Sequence, residues 1–134
     1  MANRRKNQRG NAAVEATLTL TFFMTLLLSC YDIGYLMFFH QTLVHQATTG
    51  ARYAAANPSS LTAAQNLVLY NQITVGNSGI MGMHPSDVSV TRTYGGSDDR
   101  VNVTISGFQY ILLTPGWSGS YNGRIISVSL PVEN

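Results

Sequence analysis

Charge is what this chain has least of. Asp, Glu, Lys and Arg make up 10% of its 134 residues, against roughly 25% in ordinary soluble proteins, so much of the chain avoids water. Cysteine is nearly absent as well. The single thiol, Cys30, cannot form an intramolecular disulfide, so a domain in an oxidising compartment would hold together without that staple. Nucleophile motifs, glycine-rich phosphate loops and paired cysteine motifs are all missing, which argues against an enzyme. Metal chemistry finds no better support. His40 and His45 are five residues apart, splayed by about 140° on a helix, so they do not converge on an ion as an i, i+4 pair would. His84 precedes Pro85 with no evident partner, and Asp98 and Asp99 share a turn that lacks the regular oxygen spacing of calcium loops. Neither cofactor nor metal is expected.

The little charge there is lies unevenly. Arg4, Arg5, Lys6 and Arg9 fall in the first ten residues; beyond them Arg52, Arg92, Arg100 and Arg124 face six carboxylates, so the net +2 of the whole chain becomes −2 over residues 11–134 with neutral histidine. That removes the case for a nucleic-acid partner. Residues 1–10 are polar without hydrophobic periodicity and read as an irregular basic leader. Their charge also sets an orientation. No further Lys or Arg appears before Arg52, and the positive-inside rule then keeps the N-terminus cytoplasmic and exports the remainder.

Past the leader lies a long apolar run. From Ala16 to Tyr31 there is no charged residue, which with the flanking Glu15 and Asp32 approaches the roughly 20 residues that span a bilayer. No small-x-small cleavage site comes after it, so the segment is expected to remain as an anchor. Thr17, Thr19, Thr21 and Thr25 are tolerable there because a threonine hydroxyl can bond back to a helical carbonyl or across to another helix. Glu15 is the anomaly. A carboxylate at the bilayer centre costs about 2.5–3.5 kcal/mol on insertion scales, so it asks for a partner. A cut after Gly10 would create one, the new α-amine of Asn11. Asp32, about a bilayer's width further on, marks the exported interface.

Helical periodicity continues beyond the apolar run. Leu36, Phe39, Leu43, Ala47, Ala51 and Ala54 recur at three and four residues, with His40, Gln41, His45, Gln46 and Thr49 assigned to the other side. Asn57-Pro58 ends the pattern, and Gly50 allows another element to approach closely. Asn11 to Ala56 is 46 residues, about 69 Å of helix against a hydrocarbon core of about 30 Å, so more than half projects from the membrane. Ser59 and Ser60 are candidate caps for a second helix over Leu61 to Thr74, with Leu67, Val68, Tyr70 and Ile73 as its apolar side. The period then changes to two. Val88 and Val90, then Val101, Val103 and Ile105, then Ile126, Val128 and Leu130 predict three strands of a half-buried antiparallel sheet. Tyr110, Ile111 and Leu112 read as an extension of the second strand, with a long connection after it. The expected architecture is α+β: a leader (1–10), a long N-terminal helix (11–56), and a small exported head (57–134) whose sheet packs on the outer half of that helix.

Three stretches carry a family likeness: Gly10-Asn11-Ala12-Ala13-Val14-Glu15, Tyr31-Asp32-Ile33-Gly34-Tyr35 and Gly50-Ala51-Arg52-Tyr53-Ala54-Ala55. A basic leader, Gly, four residues, Glu and an apolar helix resembles the processing site of type IV pilins. Within that superfamily the chain is most similar to the TadE-like pseudopilins of tight-adherence (Flp-type) pili. It departs from them at Ala16, usually an aromatic, and at Tyr35, where Arg is common. The resemblance implies cleavage between Gly10 and Asn11 by a prepilin peptidase and a role for Glu15 in subunit assembly. Asp32, Gly34, Gly50, Ala51, Arg52 and Tyr53 are family motif positions, and Arg52 is expected to pair with an acid of the head. Implied partners are other pilin-like subunits, the pilus assembly machinery of the inner membrane, and membrane lipid. Two other roles fit the same residues: the main filament subunit, and an anchored binding module lipidated at Cys30, for which Leu27-Leu28-Ser29-Cys30 is a loose lipoprotein signal.

Overall fold

The computed structural model describes residues 4–95 and 99–132, residues 4–10 by their helical backbone alone. Helix α1 runs unbroken from Arg4 to Ala56, 53 residues and about 80 Å at 1.5 Å per residue. It starts inside the stretch expected to be irregular. The basic leader is rich in Arg, Lys and Gln, good helix formers, and extending a formed helix needs no new nucleus. The side chains of that leader lie outside the described residues. At the far end Asn57 N–H donates to the Tyr53 carbonyl at 2.9 Å, and Pro58 lets the helix go no further.

Helix α2 spans Leu61–Tyr70, shorter than the pattern to Thr74 suggests. Asn71 takes the left-handed conformation (φ 56°) and its N–H caps the Leu67 carbonyl, a helix stop that Asn tolerates better than most residues. Ser60 occupies the N-cap position without a side-chain hydrogen bond. The buried face is Ala64, Val68 and Leu69, while Ile73 is exposed; ending the helix early removes Ile73 from the face on which periodicity placed it.

The head is built on a three-stranded antiparallel sheet. Strands β1 (Val88–Thr93), β2 (Arg100–Ile105) and β5 (Ile126–Pro131) lie in the order β1-β2-β5, as the alternation predicts. Val103 is opposite Val90 on one side and Val128 on the other. The central strand carries the most deeply buried residues, Val101, Val103 and Ile105, and these pack with Leu43, Ala47, Ala51 and Ala54 of α1 and Val68 and Leu69 of α2. The sheet thus covers the outer half of the long helix, giving an α+β protein with a pilin-like layout. Gln65 fastens α2 to the sheet by donating from Nε2 to the carbonyls of Pro85 (3.0 Å) and Val88 (2.9 Å).

Two further expectations fail. Tyr110-Ile111-Leu112 does not extend β2: after Gly107, at φ +78°, the chain forms a separate hairpin of β3 (Gln109–Leu112) and β4 (Gly119–Asn122). Gln46, assigned to the polar side of α1, is 8% exposed with no partner for Oε1 among the described residues. It lies three residues after Leu43 and four before Gly50, on the face that the sheet and α2 cover.

Candidate functional site: the bare helix and its clasp

From Asn11 to Leu27 the residues of α1 are exposed, Thr25 alone being half-buried. Leu18, Phe22, Phe23 and Met24 each stand half or more open, far more apolar surface than a soluble helix leaves bare. Each hydroxyl of Thr17, Thr19, Thr21, Thr25 and Ser29 donates to the carbonyl four residues before it, at 2.8–2.9 Å. The apolar surface therefore carries no unsatisfied hydroxyl, as burial in lipid or among helices requires. Glu15 interrupts it. Its side chain lines a shallow groove with Ala12, Ala16, Thr19, Leu20 and Phe23. Gly10 and Asn11 are consecutive residues of the same continuous helix.

At the other end of the bare segment stands Asp32, 5% exposed. A carboxylate only accepts hydrogen bonds, and here it accepts from the chain 81 and 82 residues on. Leu113 N–H lies 3.1 and 3.0 Å from its two oxygens, Thr114 N–H 2.8 Å from Oδ2, and Thr114 Oγ1 2.6 Å from the same oxygen. The β3–β4 hairpin is thereby clasped to α1. Thr114-Pro115-Gly116-Trp117 forms the tip, closed by Trp117 N–H to the Thr114 carbonyl at 3.1 Å. Gly116 sits at φ +91°, the third position of a type II turn with proline at the second. Tyr121 Oη donates to the Trp117 carbonyl at 2.9 Å and braces the tip. Above the clasp a ladder of rings, Tyr31, Tyr35, Phe39 and Phe108, climbs from helix to hairpin with centroids 6.4, 5.9 and 5.8 Å apart. No sequence motif announces this clasp, because two of its three donors are backbone amides.

The remaining motif positions divide. A Cβ on Gly50 would meet Val68 Cγ2 at 2.2 Å, so this glycine lets α1 and α2 approach. Ala51 is fully buried and Tyr53 packs at the margin of the core. Gly34 has no heavy atom within 4 Å of its would-be Cβ and faces open space. Arg52 is exposed and makes no ion pair among the described residues. In the head Arg92 does pair: its Nε donates to Asp99 at 2.9 and 3.0 Å while its Nη2 also bonds Oδ2, with the guanidinium 4.6 Å from the Tyr94 ring centre. This pair closes the β1–β2 connection. It holds the Asp99 carboxyl below its usual range through the Arg92 hydrogen bonds.

Among the described residues no three His, Cys, Asp or Glu side chains cluster; His40 and His45 are exposed, as is the free Cys30. Asp98 lies outside the described residues, and Asp99 is engaged by Arg92. His84 does have a partner: its backbone N–H donates to Asp87 Oδ2 at 2.8 Å, in a short capping turn.

Residues 10–52 match the model of a family described as TadE-like protein. The matched segment runs from the glycine before the bare helix to Arg52, and so takes in Glu15, Asp32 and Gly50 but none of the sheet. No curated protein and no solved structure matches the chain.

Proposed function

We propose that this chain, TadE-like over residues 10–52, is a pilin-like structural subunit, a minor pilin or pseudopilin of a Tad-type pilus. It sits in the inner membrane with its N-terminus in the cytoplasm and its head outside. A prepilin peptidase cuts between Gly10 and Asn11, and the subunit then packs by its helix into the filament or at its base or tip. The observation that carries this reading is the bare segment of α1: from Asn11 to Leu27 every residue but Thr25 is exposed, and continued to Tyr31 the helix is long enough to cross a bilayer, with one carboxylate near the start. Lipid surrounds it first and other pilin-like helices surround it after assembly.

Glu15 is the chemical handle in this scheme. The amine released at Asn11 would lie four residues away on the same helix, about 6 Å along its axis. A pair between that amine and Glu15, within one subunit or between neighbours, offsets the cost of placing the carboxylate in an apolar bundle and fixes the axial register of one helix against the next. The test is Glu15→Gln in a strain that makes the pilus. The variant is expected to be inserted and cut but to be missing from sheared filaments and from the initiating complex; normal incorporation would remove Glu15 from the mechanism.

A further inference from the structure

We infer that the tip of the β3–β4 hairpin rests on the bilayer surface, with Trp117 and Leu113 in the interfacial layer and Asp32 as the hinge pin that sets their depth. This depends on the membrane assignment of α1 made above and adds a second, non-helical contact with lipid.

The placement comes from helix arithmetic. If the span takes the 20 residues ending at Tyr31, about 30 Å at 1.5 Å each, Asp32 lies at the edge of the hydrocarbon. Leu113 and Thr114 are bonded to Asp32, so the hairpin tip is at that level. Trp117 lines a groove shared with Ser29, Asp32, Ile33 and Leu36, which runs from about 4.5 Å on the membrane side of Asp32 to about 6 Å on its outer side. The tip is therefore level with the end of the span.

Its surface suits that position. Trp117 is 73% exposed, Ile111 63% and Leu113 54%, although each would ordinarily be buried in a small domain. From Val101 to Gly123 there is no charged residue, so nothing on the hairpin resists entry into the headgroup region. Tryptophan and tyrosine concentrate at such interfaces because their rings are amphipathic. Trp117 and Tyr121 stand together here, with the Tyr121 hydroxyl already bonded to the Trp117 carbonyl. Ile33 and Leu36 of the helix share one groove with Leu112 and Trp117 of the hairpin, and lipid covers both at once.

Trp117 is the only tryptophan in the chain, so its fluorescence reads this contact directly. The full chain is reconstituted at low protein-to-lipid ratio into vesicles of phosphatidylcholine and phosphatidylglycerol. Nitroxide-labelled lipids then probe depth, one carrying the label near the headgroup end of the acyl chain and one at its methyl terminus. Most of the emission is expected to be lost with the shallow label and little with the deep one. Leu113→Asp, a change at an exposed position, should lift the tip and restore the emission. Flotation of the same vesicles separates the two assumptions: a chain that fails to float overturns the membrane assignment and this inference with it. A chain that floats while Trp117 stays unquenched by both labels and open to aqueous acrylamide overturns the hairpin contact alone. Shielding that appears only as the protein-to-lipid ratio rises would assign the surface to a second subunit and overturn it too.

Discussion

Gly50 offers the sharpest test of how the head is held to the long helix. Placing a methyl group there puts carbon 2.2 Å from Val68 Cγ2, where ordinary carbon contacts lie at about 3.5–4.0 Å. Val68 is fully buried in α2 and β-branched, with one favoured rotamer on a helix, so it cannot swing aside. Gly50→Ala gains about 1 kcal/mol of helix propensity but incurs overpacking at the upper end of the usual range, about 3 kcal/mol. The net loss is about 2 kcal/mol, a drop in Tm of roughly 10 °C for a domain of this size. Val68→Ala alone removes two buried methyl groups and costs about 2 kcal/mol. The double variant should lose only about 1 kcal/mol, because the new methyl fills the vacated space and keeps the propensity gain, a coupling of about 3 kcal/mol. The assay is reversible denaturant unfolding of the full chain in detergent micelles, monitored by near-UV circular dichroism. A stabilised Gly50→Ala, or single changes that merely add, would refute the close approach of α1 and α2.

The polar contacts carry two further expectations. Asp32→Ala should speed hydrogen exchange at the Leu113 and Thr114 amides while leaving Val103, in the centre of the main sheet, protected; unchanged exchange at the tip would dissolve the clasp. The Arg92–Asp99 pair makes a prediction about pH. Because the folded state holds Asp99 below its usual pKa, of about 3.9 in an unfolded chain, the pair stabilises the fold fully above that value and is lost as pH falls through the lowered one. The Tm of Asp99→Asn should therefore lie below wild type at neutral pH and converge with it on acidification; a constant gap would mean that the carboxylate's charge is not involved.

The sequence and the fold agree where local periodicity and burial point the same way. Val101, Val103 and Ile105 alternate with polar residues because one face of β2 meets the helices and the other does not, and Leu43, Ala47, Ala51 and Ala54 recur at helical spacing because the sheet and α2 cover one face of α1. The second hairpin was not legible for the converse reason. Every residue of β4 is exposed, so Gly119-Ser120-Tyr121-Asn122 shows no apolar alternation, and Tyr110 to Leu113 is a continuous apolar run that reads equally well as a strand extension. Gln46 defeats a rule that assigns faces by polarity, since it occupies the buried face with no partner for Oε1 among the described residues. Asp32 could be singled out as a charge at the end of an apolar run, but its donors lie 81 and 82 residues away and two of them are main chain. Arg52 shows the opposite error, a conspicuous charge that the head leaves exposed, whereas Arg92 pairs with Asp99.

Processing at Gly10 is the claim on which the membrane, assembly and Glu15 proposals converge. Its most direct test is the intact mass and first residue of the chain extracted from membranes that contain the prepilin peptidase. A chain beginning at Asn11 is the predicted result, and it would place a free amine within reach of Glu15. A chain still beginning at Met1 in the presence of active peptidase would contradict the account, leaving a plain membrane anchor with an unpartnered carboxylate.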